Sequence, residues 1–329
     1  MTDEEIAEAV ATIQRAGGAK PLTARDPVNL PMIRNWLEAM GDANRAYVDE
    51  EAARAAGHDG IVAPPAMIQA WTMRGLHDRH AADDPLGQAL DLLTRAGFPA
   101  VVATNCDQVY HRYLRLGEPL TMVTRLERVV GPKQTSLGRG WFISTRHTWH
   151  CAGEEVATME FRLFKYLSPG AVAGQTGEAG RAGPRAAAAS QPDHAGPEDP
   201  RPEHAAAGER LPALRIGATP TFIIAAALAT RDFQDVHHDR DAAVALGGKD
   251  IFVNILTDTG LVQRYVTDWA GPSARVREIS LRLLVPCYAY DTLVFSGAVT
   301  NAGDADLTVS VSARGQLGEH LAGTVRLTR

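Results

Sequence analysis

From Pro169 to Gly208 the chain contains no Leu, Ile, Phe, Trp or Tyr. Ala, Gly, Pro and charged residues dominate it, and such a segment cannot bury enough apolar surface to offset the entropy of ordering it. We read it as a disordered linker, with a typical span on the order of 35 Å for about forty flexible residues. It leaves two halves, 1–168 and 209–329, each long enough to bury its own core. Whatever the chain folds into must therefore be assembled from two compact units that can lie side by side.

Both halves are patterned in the same order. In the first, MTDEEIAEAVATIQRAGG reads as a helix ended by glycine, and NLPMIRNWLEAMGD places Met32, Ile33, Trp36, Leu37 and Met40 at helical spacing. YVDEEAARAAGHDG predicts a short helix, and PPAMIQAWTMRGLHDRH a longer apolar one. Four alternating strand-like runs follow, from ATNCDQVYHRYL to EVATMEFRLFKYL. The second half opens with ALRIGATPTFIIAAALATRDF, an apolar, strand-like run, longest apolar at Thr221–Ala229, that leads into a charged turn. DRDAAVALGG predicts a short helix and IFVNILTDTGLVQRYVTDWAG a long one, before four more strands. An α+β unit is thus duplicated, and a sheet wrapped around one long helix is the hotdog arrangement.

Composition removes several function classes. Basic residues number 33 against 39 acidic, a net charge of −6, so the extended basic footprint of a nucleic-acid binder is missing. Cys106, Cys151 and Cys287 are scattered with no C-x-x-C, which leaves a cysteine zinc site unsupported and suits a reducing cytoplasm. The acidic start is unlike a signal peptide, and the longest apolar run is far too short to span a bilayer.

The densest polar cluster is Arg231-Asp232-Phe233-Gln234-Asp235-Val236-His237-His238-Asp239-Arg240-Asp241. Three readings are open from residue types. Asp239 and its neighbours cap the next helix and the turn is simply solvated. Alternatively, two His and several Asp hold a metal, against which stands the awkwardness of adjacent histidines sharing one ion. In the third, Asp232 and His237 converge across the turn on one small molecule and exchange protons with it, since an imidazole titrates near neutrality.

The run Asp232-x-Gln234-x-Val236-His237 resembles the D-x-N-P-L/I-H signature of the MaoC-like, (R)-type enoyl-CoA hydratases. Longer stretches resemble actinobacterial steroid side-chain enoyl-CoA hydratases. DFQDVHHDRDAAVALGGKDIFVNILTDTGLVQRYVTDWAGPSA is similar to their small catalytic subunit, and PMIRNWLEAMGDANRAYVDEEAARAAGHDGIVAPPAMIQAWTM to the hotdog part of their large subunit. The resemblance implies an α+β double hotdog, two antiparallel sheets each wrapped around a long central helix, with two subunits fused in one chain and Asp232 and His237 as the catalytic pair around one water. Gln234 is implied to order the loop, in place of the usual Asn. The backbone amide of Asn254 is implied as the donor to the thioester oxygen, because Val253-Asn254-Ile255 falls on the family's His-Gly-Met. Lys249, Lys133 and Arg139 are candidate cations for the CoA phosphates. The implied substrate is a steroid enoyl-CoA hydrated to a tertiary alcohol, with no metal or redox cofactor. The implied partners are a second copy of the fused chain and a downstream thiolase-like aldolase.

The first half carries an echo of the motif: Asp42 and Asn44 stand where the signature wants them, but Tyr47 replaces the histidine. A phenol is a poor base at neutral pH. We expect this half to be non-catalytic, with Tyr47 either packing in the core or touching a bulky substrate. Two other functions stay open: an (R)-specific hydratase for straight-chain trans-2-enoyl-CoA, and a non-catalytic acyl-CoA binding or scaffold protein.

Overall fold

The structure is a computed structural model that describes residues 1–17, 20–78, 80–81, 83–168, 205–303 and 305–328. The segment read as a linker lies outside the described residues as far as residue 204. Its expected end moves forward, because Ala205 is buried and Gly208 donates its N–H to Val299 O at 2.8 Å.

The first half contains α1 (Asp3–Arg15), β1 (Leu22–Thr23), α2 (Leu30–Met40), α3 (Glu50–Ala55), α4 (Pro85–Arg95) and strands β2 (Ala100–Tyr110), β3 (Thr121–Thr135), β4 (Gly138–Cys151) and β5 (Glu154–Leu167). The second contains β6 (Arg210–Ala218), α5 (Pro220–Thr230), α6 (Arg240–Ala245), α7 (Ile255–Ala270) and strands β7 (Arg275–Leu283), β8 (Asp291–Ala302), β9 (Asp306–Gly315) and β10 (Gly318–Thr328). Local chemistry sets the helix ends. Thr2 and Glu5 close a capping box on α1, Asn29 and Thr219 cap α2 and α5, and Asp49 and Asp239 cap α3 and α6.

All strands join one antiparallel sheet in the order β1-β3-β4-β5-β2-β7-β10-β9-β8-β6. Each half supplies five neighbours in the same relative order. The seam is the pairing of β2 with β7, from Asn105 opposite Arg282 to Val109 opposite Glu278. The expectation of two separate sheets is therefore corrected to one continuous sheet made of two hotdogs.

Two helical expectations also change. The apolar run Thr221–Ala229 is not strand but the body of α5. The run of small residues suits a helix that packs against α2 and α7. More consequentially, PPAMIQAWTMRGLHDRH does not form a long helix. It makes two 3₁₀ turns, Pro65–Ile68 and Ala70–Thr72, and turns extended at Met73. Tertiary ties override its helical pattern: Thr72 Oγ1 accepts the Trp149 indole N–H at 2.9 Å, and Arg74 pairs with Asp84 at 2.9 Å. The chain then forms α4, a helix the sequence reading missed. α4 and α1 cover β3–β5 with a satellite core of Ile6, Val10, Leu93, Phe98, Trp141 and Ile143.

The long central helix therefore exists once, as α7, buried on every side except at Asp268. α2 of the first half lies hard against it. A Cβ on Gly260 would come within 2.7 Å of the Trp36 ring, so only glycine allows this approach.

Candidate active site

The charged turn after α5 folds inward. Arg231 ends the helix in the left-handed region (φ 58°), the conformation glycine takes at the matching Gly41 (φ 64°). That turn drops Asp232 into the interior, 4% exposed. The following 3₁₀ turn, Asp235–His237, brings His237 beside it, 5% exposed. The imidazole is held edge-on to the Phe252 ring, and its Nδ1 lies 2.8 Å from Phe252 O. A carbonyl only accepts, so Nδ1 carries a proton and Nε2 is the ring atom turned toward Asp232. Nε2 and Asp232 Oδ2 are 3.5 Å apart. That is too long for a good direct hydrogen bond, and short enough for both atoms to hold one water. His238 diverges, half-buried, toward Asp235 at 3.9 Å. Among the described residues no group of three or more His, Cys, Asp or Glu is gathered as a metal site requires.

Gln234 holds the loop loosely. Its backbone N–H and side-chain amide reach Asp232 Oδ1 only at 3.4 and 3.5 Å, and it is exposed. The matching Asn44 does better: its N–H donates to Asp42 at 2.9 Å and its Oδ1 caps Ala46 N at 3.0 Å. Replacing Asn by the longer Gln costs that cap.

Asn254 stands at the N-terminus of α7. Its side chain is fully used, accepting from Thr257 N at 2.7 Å and donating to Thr230 Oγ1 at 3.0 Å. This clamps α7 to the end of α5, one residue before Arg231. Its own backbone N–H has no acceptor among the described residues, which leaves a free amide at the positive end of a helix dipole, two residues from the carbonyl that holds His237.

The expected phosphate cations fare differently. Lys249 is exposed, with no ion pair among the described residues. Lys133 is exposed on β3 in the first half. Arg139 pairs with Asp3 and lies over the Phe98 ring, a role in fastening α1 to the sheet. The sequence reading passed over Arg231. With Arg25, Asp26, Pro27, Asn29, Pro31 and Met32 it lines an open groove of about 430 Å³, one residue along the chain from Asp232. Its signal was a non-glycine residue at the end of a helix where glycine is expected.

The echo in the first half has lost its function at three points. Tyr47 takes the place of His237. Pro64, which has no N–H, takes the place of Asn254. The space is then filled by α7: Gln263 Oε1 accepts from Ala66 N at 2.8 Å, its Nε2 reaches the Tyr47 hydroxyl at 3.4 Å, and Arg264 donates to Met40 O at 2.8 Å. Tyr47 is 1% exposed and burial pushes its phenol well above the usual range. The expectation of substrate contact at Tyr47 is thus replaced by core packing. Asp42 remains, buried, with Oδ2 unpartnered. Burial raises its carboxyl to about 6, against an opposing hydrogen bond from Asn44.

A sheet of this order, folded around a helix whose N-terminus faces an inward Asp–His pair, is the frame of hotdog hydratases and dehydratases. The chain belongs to the MaoC-like family of these proteins. The family model described as "FAS1-like, dehydratase domain region" matches residues 17–159. The chain is 57% identical over 166 residues, 50% of its length, to the 3-oxo-4,17-pregnadiene-20-carboxyl-CoA hydratase alpha subunit of Mycobacterium tuberculosis. It spans only about half of that relative, 53%. It is 66% identical over 121 residues, 37% of its length, to the beta subunit of the same enzyme and covers 94% of that subunit. A solved MaoC-like dehydratase, 19% identical, superimposes with a TM-score of 0.68 over 94% of this chain and 97% of its own. At that identity the likeness shows the double hotdog fold alone.

Proposed function

We propose that the protein is an enoyl-CoA hydratase acting on a steroid side-chain thioester, with one working site at Asp232 and His237. The observation that carries the chemistry is the separation of 3.5 Å between two buried groups, with a free helix-terminal amide two residues from the carbonyl that holds His237. Asp232 and His237 hold one water. His237 Nε2 takes a proton as the water oxygen bonds to the β-carbon, and the π electrons of the double bond pass through the α-carbon to the thioester oxygen. The amide of Asn254 donates to that oxygen as it gains charge. The imidazolium then returns its proton to the α-carbon from the same face, so atoms and charge balance.

The substrate class rests on the two relatives. Their names specify a carbon–carbon double bond from a ring carbon to the carbon bearing the carboxyl-CoA. Hydration of such a thioester places a tertiary alcohol on the ring, β to the thioester, which is the arrangement a retro-aldol cleavage requires. A thiolase-like aldolase as the consumer of this product, and pairing of two fused chains, belong to the same proposal. Arg231 and Arg25 suit the phosphates of CoA, and the missing central helix of the first half suits a bulky ring system.

The test follows water addition by mass spectrometry on a steroid side-chain enoyl-CoA and on crotonyl-CoA. Much faster turnover of the steroid is expected. Equal or better turnover of crotonyl-CoA would refute the steroid assignment and favour the straight-chain hydratase.

A further inference from the structure

The two halves align at constant spacing from the caps Asn29 and Thr219, through Asp42 and Asp232, to the bridge residues Val62 and Phe252. On that alignment Met73 matches Gln263 and Trp71 matches Leu261. Gln263 fills the silent site of the first half. Its counterpart Met73 is the residue at which the first half abandons the helical path, so among the described residues no matching helix carries a side chain into the working site. Thr72, the residue before Met73, rests on the face of β3 and β4, its Oγ1 against Met122 Sδ at 3.4 Å and Trp149 Nε1 at 2.9 Å.

That face is incompletely covered. The satellite core under α1 and α4 reaches Ile143, and the main core reaches Trp149 and Met159. Between them Met73, Met122, Leu126, Ala103 and Phe161 are only half-buried. The neighbouring polar groups are paired: Trp149 Nε1 donates to Thr72, and both ring nitrogens of His147 meet threonine hydroxyls at 3.0 and 2.9 Å. Trp71 is one exception. It is 3% exposed and its indole N–H has no partner. Gln69, two residues earlier, has an unpartnered carbonyl oxygen as well. An indole N–H can only donate, and leaving it unmade in a buried place is costly.

We propose that the face opened past Thr72 receives the ring system of the substrate, and that Trp71 Nε1–H donates to an acceptor oxygen on it, a ring ketone remote from the thioester. Trp71 is then a specificity residue for oxygenated polycyclic thioesters. This rests on the steroid reading above, and the relatives' named substrate carries such an oxo group.

The experiment compares kcat/KM for a ring-oxo steroid enoyl-CoA and its ring-deoxy analogue, in the wild type, Trp71→Phe and Trp141→Phe. Trp141 also has an unpartnered indole N–H, but under α1 and α4, so it controls for the loss of a buried indole. The wild type is expected to prefer the oxo substrate about five- to tenfold, the size of one neutral hydrogen bond. Trp71→Phe should abolish that preference and Trp141→Phe should keep it. A wild type that treats both steroids alike overturns the inference whatever the variants do, as does a Trp71→Phe enzyme that keeps the preference. Turnover of neither steroid beside intact turnover of crotonyl-CoA overturns the steroid reading itself, and is a different result.

Discussion

Replacing Asp42 by Asn should stabilise the protein above neutral pH and do little below about pH 4. Burial raises the carboxyl from 3.8 to about 6. The folded state therefore binds this proton more tightly than the unfolded chain. That contribution is complete below the unfolded value and is lost as pH rises through the folded one. A shift of roughly two units corresponds to about 3 kcal/mol of cost for keeping the ionised group buried at pH 8. Asn retains an oxygen for the Asn44 N–H bond at 2.9 Å and removes the charge. Its amide brings a donor that must find an acceptor, so a gain of about 1–3 kcal/mol is expected at pH 8. The charged neighbours on α7, Arg264 and Asp268, pair with each other at 3.2 Å. Urea denaturation of wild type and variant across about pH 4 to 8, followed by tryptophan fluorescence, measures the difference. It should grow with pH, and hydratase turnover should stay the same because the first half is silent. A stability difference that does not change with pH, or a variant less stable at pH 8, would refute the reasoning.

Other outcomes are specific. Asp232→Asn and His237→Ala should each lower turnover by roughly 10²–10⁴ with circular dichroism unchanged; full activity in both would remove the site. Asn254→Pro should cost on the order of 10²–10³ in kcat, because it deletes the free amide at a backbone position proline tolerates, whereas Asn254→Ala should lose about 1 kcal/mol of stability and keep most of its rate. An Asn254→Pro enzyme of normal kcat would exclude that amide. Arg231→Gly should relieve roughly 1 kcal/mol of left-handed strain while raising KM for CoA thioesters in a salt-sensitive way, readable by denaturation and steady-state kinetics.

The duplication was legible because periodicity and capping residues repeat at fixed spacing. Strands β2–β5 and β7–β10, with α1, α2, α3, α6 and α7, follow from those signals. The Asp232–His237 pair was legible through its motif and not through spacing, since a charged turn with Asp239 as a cap reads equally well alone. Asp239 does cap α6, and the pair lies inward in the same turn. What the sequence hid depends on contacts across the fold. The apolar pattern around Met67, Ile68 and Trp71 suits a helix, and only the Trp149–Thr72 and Arg74–Asp84 ties divert it. The stopper at the silent site comes from Gln263, remote in the chain, so no local pattern announces it. Pro64 was visible as a residue, yet its meaning needed the alignment with Asn254.

The seam between β2 and β7 bears on how such a chain is made. Until the ribosome has delivered β7, the first half presents β2 as a bare edge and Tyr47 without its Gln263 partner. Bare edges recruit stray strands. Carrying both halves on one polypeptide supplies the right strand at high effective concentration and in strict one-to-one ratio, so no orphan copy of the silent half waits for a mate. A chain nicked after folding should stay whole, whereas the halves made separately should assemble with a lag and lose material to aggregation.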